Sequence, residues 1–156
     1  MIAGGGYGDW KYSKLTLQHK MEQLTRLVPM IMDRHDLDGV VLHGSSGVWL
    51  GAALVMAGAI PEGCGLFLVR KRGEQSHGEL VEGDGENNCS RLLMIDDFVS
   101  SGASVVRVQH TIEETKVRPA TVVAVLQHQR ISSNRSYNEP TNVMRLEYNH
   151  MNVLIY

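Results

Sequence analysis

Residues 92–104, LLMIDDFVSSGAS, constrain this chain more tightly than any other stretch of its sequence. Leu92, Leu93, Met94 and Ile95 read as a buried strand, because consecutive apolar residues leave no polar face. Asp96 and Asp97 end that strand, and carboxylates at a sheet rim can accept hydrogen bonds from vicinal hydroxyls. The small residues Ser100, Ser101, Gly102, Ala103 and Ser104 then let successive backbone N–H groups curl around an anion. A helix starting near Gly102 adds the positive end of its dipole, and the serines add hydroxyl donors. A diol acceptor beside a phosphate cradle is the chemistry of a ribose 5-phosphate site. Two plainer readings compete. A Walker B strand would need a G-x-x-x-x-G-K-[ST] loop, which the sequence lacks. The serines could merely cap a helix and the aspartates merely be exposed strand-end carboxylates, but the two halves together, at this spacing, favour one site.

Around this motif, strand-like and helix-like segments alternate. Leu17, Met21, Leu24, Val28, Ile31 and Met32 have helical spacing, which predicts an amphipathic helix over 13–35, bent or restarted at Pro29. Gly39–His43 predicts a buried strand, 44–47 a turn, and 48–57 a helix of small residues able to sit close on a sheet. Further strands are expected over 66–70, 91–95 and 120–126, with a helix over 102–115. Residues 142–148 and 151–156 fit two terminal strands. Residues 71–90 are polar, glycine-rich and aperiodic, and read as a long functional loop. This alternation predicts an α/β fold in a single domain, with a mainly parallel sheet flanked by helices. Ligands of such sheets sit beyond the carboxyl ends of the strands. The loops beginning at Gly44, Lys71 and Asp96 should therefore converge. Residues 1–13 read as a flexible N-terminal arm, and 14–156 as the folded domain.

The stretch 92–104 closely resembles the signature of type I phosphoribosyltransferases for 5-phosphoribosyl-1-pyrophosphate (PRPP). That signature has four apolar residues, an acidic pair, two spacers and a T-T-G-x-[ST]-like loop. The resemblance implies the type I fold, here with a small, reduced hood, since residues 1–38 barely match the longer hood of orotate enzymes. It also implies transfer of the 5-phosphoribosyl group from PRPP to a nitrogenous base with release of pyrophosphate. Asp96 and Asp97 would hold the ribose hydroxyls, and Ser100, Ser101, Gly102, Ala103 and Ser104 the 5-phosphate. Magnesium would ride on PRPP oxygens without a direct protein ligand. The same likeness implies a homodimer whose lid loops lie near the neighbouring subunit.

Two further turns fit the family's pattern. Ser45, Ser46 and Gly47 follow the first strand, where the family's backbone amides meet pyrophosphate. Many relatives carry Arg or Lys in this turn, and Ser45 stands here instead. That departure motivates an alternative, a non-catalytic PRPP- or nucleotide-binding regulator of the same fold. After the second strand, Arg70-Lys71-Arg72 and His77-Gly78 resemble the catalytic flexible loop of orotate phosphoribosyltransferases, though the spacing is longer. By that likeness Lys71 and His77 would stabilise the departing pyrophosphate, with Arg70 and Arg72 assisting, and Asp97 would stabilise positive charge building on the ribose. Ser100 stands where enzymes of 6-oxopurines usually carry an aspartate, which tilts the reading towards an orotate-like arrangement. Gln127, His128 and Arg130 are weak candidates for reading the base. A serine hydrolase is disfavoured, because HGSSG does not fit G-x-S-x-G.

The remaining features are permissive. A chain of 156 residues can build its own core. A net charge of -2 without a basic run leaves no nucleic-acid footprint. The apolar stretch 48–60 is too short to span a bilayer, and the N-terminus lacks an apolar signal core, so a cytoplasmic location is expected. Cys64 and Cys89 lack metal-type spacing and read as ordinary reduced thiols.

Overall fold

The computed structural model describes residues 14–71, 73, 79–83, 89–96, 101–115, 120–127, 144–148 and 151–156. In chain order the elements are α1 (Lys14–His35), β1 (Gly39–His43), α2 (Gly44–Met56), β2 (Gly65–Val69) and β3 (Val81–Gly83). They continue with β4 (Arg91–Asp96), α3 (Ala103–Thr115), β5 (Thr121–Gln127), β6 (Met144–Tyr148) and β7 (Met151–Ile155). One seven-stranded sheet runs β3-β2-β1-β4-β5-β7-β6. β2, β1, β4, β5 and β7 are mutually parallel, and antiparallel β3 and β6 close the two edges. The expected single α/β domain is therefore the observed architecture.

Both faces of the sheet are covered, which is why its central strands are continuously apolar. On one face, Leu24, Val28 and Ile31 of α1 and Leu50 and Leu54 of α2 join Leu42, Ile95 and Leu126 in one core. On the other, Val105, Val108 and Ile112 of α3 cover Val41, Met94 and Val125. Gly51 lets α2 lie close on β1, since a Cβ there would sit 2.5 Å from Leu42 Cδ1. Gly47 does the same one turn earlier, with 2.8 Å to Leu42 Cβ.

Three local expectations change. α1 passes through Pro29 as one helix rather than restarting; burial of Leu24, Leu27, Val28, Ile31 and Met32 offsets the hydrogen bond that Pro29 cannot donate. The turn expected over 44–47 is the first turn of α2, because Gly44, at φ +67°, reverses the chain directly after β1. Within 71–90, residues 81–83 form β3 on the free edge of β2, where they satisfy backbone groups that would otherwise face solvent.

At the amino ends of the strands, Asp38 ties β1 to β4. Its carboxylate accepts hydrogen bonds from the Ser90 N–H and hydroxyl and from the Arg91 N–H. The Arg91 guanidinium donates to the carbonyls of Asp36 and His35. This end of the sheet is sealed by structural contacts. His35 is partly buried and hydrogen-bonds the Tyr156 hydroxyl.

Candidate phosphate site

The opposite rim is polar in a place where a core would be apolar. Register puts His43 beside Val69 and Asp96 beside Gln127, and Leu42 beside Ile95. His43, Asp96 and Gln127 thus form one row across the carboxyl ends of β1, β4 and β5. All three are buried, and they are three of the five buried polar or charged residues among those described. Polar side chains are seldom fully buried in such a core, so three in one row set this rim apart. Because Leu42, Ile95 and Leu126 belong to the α1–α2 core, the row one residue later faces the α3 side.

Topology selects the same place. β1 is followed by β2 on one side of it, while β4 returns on the other. That reversal opens a crevice between β1 and β4, and α2 and α3 both start at its lip. Each helix follows a glycine in the left-handed region, Gly44 at φ +67° and Gly102 at φ +80°. Neither helix has an acidic residue in its first turn, and His43 makes no side-chain cap to α2. Helix starts of this kind, with a positive dipole end and first-turn N–H groups, suit an external anion. Around α3, Gly102 is buried while Ser101 and Ala103 are exposed and Ser104 is partly so. The Ala103 N–H points at Ser101 Oγ at 3.4 Å, too long for a firm cap.

Lys71 joins this lip from β2. A Cβ added to Gly44 would meet Lys71 Cε at 2.7 Å, Cδ at 3.2 Å and Cγ at 3.3 Å. The lysine stem therefore lies across the glycine that opens α2, and the residue itself is exposed. Arg70 is held differently. Its Nε and Nη2 donate to the two Glu82 oxygens at 2.7 and 2.9 Å, a bidentate pair across β2 and β3. That hydrogen bond holds the Glu82 carboxyl below its usual range.

Of the residues singled out by sequence, Asp96, Gly102, Ala103, Ser101, Ser104, Gly47, Arg70, Lys71 and Gln127 are placed on or beside this rim. Gly47 faces Leu42 in the sheet, and Gln127 is buried beside Asp96. Arg72, His77, Asp97, Ser100, His128 and Arg130 lie outside the described residues, as do the side chains of Ser45 and Ser46. Sequence reasoning missed Glu82 as the partner of Arg70, because a three-residue strand carries no readable period. Among the described residues, no group of three or more His, Cys, Asp or Glu is placed to hold a metal ion. No described helix is long and apolar enough to cross a membrane.

No protein-family model matches the chain. Two curated relatives do, both hypoxanthine/guanine phosphoribosyltransferases. The one from Methanocorpusculum labreanum is 25% identical over 118 residues, 68% of this chain and 59% of the relative. The one from Methanothermus fervidus is 26% identical over 125 residues, 72% of this chain and 64% of the relative. The chain thus spans less than two thirds of the length of either. Among solved structures, orotate phosphoribosyltransferase of Francisella tularensis superposes with a TM-score of 0.54 at 18% identity, over 74% of this chain and 52% of that one. The fold is that of type I phosphoribosyltransferases, and in sequence the chain is similar to the two hypoxanthine/guanine phosphoribosyltransferases.

Proposed function

We propose that the chain is a phosphoribosyltransferase that binds PRPP at the β1–β4 crevice and passes its phosphoribosyl group to a nucleobase. The observation that carries this reading is the buried Asp96 at the end of β4, with α3 entered through left-handed Gly102. Asp96, with Asp97, accepts the ribose hydroxyls, while the 101–104 backbone and the α3 dipole take the 5-phosphate. Ser100 and the hydroxyls of Ser101 and Ser104 complete that cradle. The open first turn of α2 faces the pyrophosphate, with the backbone of Ser45 and Ser46 in reach.

In the reaction the bond from the anomeric carbon to pyrophosphate oxygen breaks and a bond to a base nitrogen forms, the nitrogen's proton leaving to solvent. Negative charge grows on the leaving group, and a cation fixed beside it lowers the barrier. Lys71, crossing Gly44, is the described cation best set for this, and Arg72 and His77, which follow it in the sequence, would assist. Arg70 serves mainly as a brace, since its guanidinium is engaged by Glu82. Magnesium enters on the PRPP diphosphate. A rim offering one described carboxylate, Asp96, between a histidine and an amide suits a carried ion better than a resident one. A cytoplasmic location goes with these substrates.

Two readings of the base are supported by different observations. The names of the curated relatives favour a 6-oxopurine. Ser100 and the Arg70-Lys71 loop favour orotate. Pyrophosphate release from PRPP and magnesium, across hypoxanthine, guanine, adenine and orotate, tests both. Turnover with one of them is expected. PRPP binding without turnover on any base would support the regulatory alternative, and no binding would sink the proposal.

A further inference from the structure

His43 is the member of the rim row to which phosphoribosyl transfer has so far given no task. It ends β1, and register sets its neighbours: Val69 on β2 and, one step beyond the Leu42–Ile95 pair, Asp96 on β4. Adjacent strands lie about 4.8 Å apart, so the imidazole and the Asp96 carboxyl leave the same face of the sheet within a side chain's reach. His43 is 5% exposed and Asp96 9%. The next residue, Gly44, opens α2, and the Lys71 stem lies across it. His43 therefore stands between the carboxylate assigned to the ribose and the cation assigned to the pyrophosphate.

Charge determines what a histidine does there. α2 carries no charged side chain, and the buried face of α3 is Val105, Val108, Gln109 and Ile112. Arg70 is engaged by Glu82. Among the described residues, Asp96 from β4 and Lys71 from β2 are thus the charged groups that flank His43, and their charges are opposite. PRPP brings a phosphate and a diphosphate to this rim, and among its described residues His43 alone can gain a positive charge near neutral pH. An anion placed beside an imidazole favours the protonated form.

We infer, resting on the reading of this rim as a PRPP site, that His43 is a substrate-binding residue that takes up a proton from solvent as PRPP binds and pairs as imidazolium with the diphosphate beside Lys71. The linkage has a definite sign. Bound anion raises the histidine pKa, so the gain in affinity is complete below the ligand-free value and is lost as pH rises through the bound one. A rise of about one unit corresponds to about tenfold in affinity.

Calorimetric titration of magnesium–PRPP without base, near neutral pH in two buffers of small and large ionisation enthalpy, counts the protons exchanged. The wild type should take up about half a proton more than His43→Gln. That substitution keeps a polar side chain of similar size and removes the titrating group, and the ligand's own phosphates contribute equally to both proteins. Between about pH 8 and about pH 6 the affinity of the wild type should strengthen about tenfold more than that of the variant. Equal proton counts would overturn the inference and leave the PRPP site standing, whereas no binding by the wild type would remove both. Should His43→Gln fail to fold, an NMR titration of the wild-type imidazole is decisive. It should titrate at higher pH with magnesium–PRPP bound, and titration at the same pH with and without the ligand would overturn the inference equally.

Discussion

Replacing Gly44 with alanine separates a conformational role from a chemical one at a single atom. Gly44 has φ +67°, where an L side chain costs about 1–2 kcal/mol. In a chain of this length that penalty corresponds to a fall in Tm of roughly 2–8 °C. The new Cβ would also stand 2.7 Å from Lys71 Cε, closer than carbon atoms approach. Lys71 is exposed and has room to swing aside, so the clash adds little to the stability loss. Its effect falls on chemistry instead, because the ammonium leaves the start of α2. Pyrophosphate release should drop about tenfold to a hundredfold, in line with losing one preorganised charge contact. A double-mutant cycle with Lys71→Ala separates the two roles. The Tm loss from Gly44→Ala should persist in the Lys71→Ala background, whereas the turnover loss should not add to that of Lys71→Ala. Independent, additive turnover losses, or an unchanged Tm, would refute the geometry inferred for this lip.

Gly51→Ala sets helix propensity, worth about 1 kcal/mol in favour of alanine, against a Cβ 2.5 Å from Leu42 Cδ1. Leu42 is fully buried, so overpacking at about 1–3 kcal/mol should win; urea unfolding should show net destabilisation, relieved by Leu42→Val. His35 has its pKa lowered first by burial, then by Arg34 and Arg91. The unfolded state therefore binds more protons just below the usual histidine pKa of about 6.5, and stability should fall as pH drops through that value. Thermal melts between about pH 7 and pH 5 should show a shallower fall in His35→Gln. Glu82 is shifted down by its hydrogen bond to Arg70, so its contribution holds above the ordinary glutamate pKa and disappears as acid titrates the folded carboxyl. An NMR titration should find Glu82 lowered in the wild type and returned towards the ordinary glutamate value in Arg70→Gln.

Much of this could be read from residue order. The apolar runs of β1, β4 and β5 are legible because strands buried on both faces need no alternation, and the start of α3 is marked by its small residues. What stayed hidden depends on contacts between distant segments. β3 is too short for a period and exists because the β2 edge needs a partner. The pairing of Arg70 with Glu82 follows from that hairpin, so Arg70 read in sequence as an assisting cation rather than as a brace. The turn read at 44–47 vanished into α2 because one left-handed glycine does the work of a loop. In sequence His43 only ends a strand, and register places it in a polar row with Asp96 and Gln127.

The claim on which the rest depends is that the junction of β4 and α3 grips a phosphorylated ribose. Calorimetric titration of magnesium–PRPP into the wild-type chain and into Asp97→Asn tests it most directly. Saturable one-site binding, weakened about tenfold or more when the hydroxyl-accepting carboxylate becomes an amide, is the predicted result. Equal affinity in the two proteins, or no heat of binding to the wild type, would contradict it.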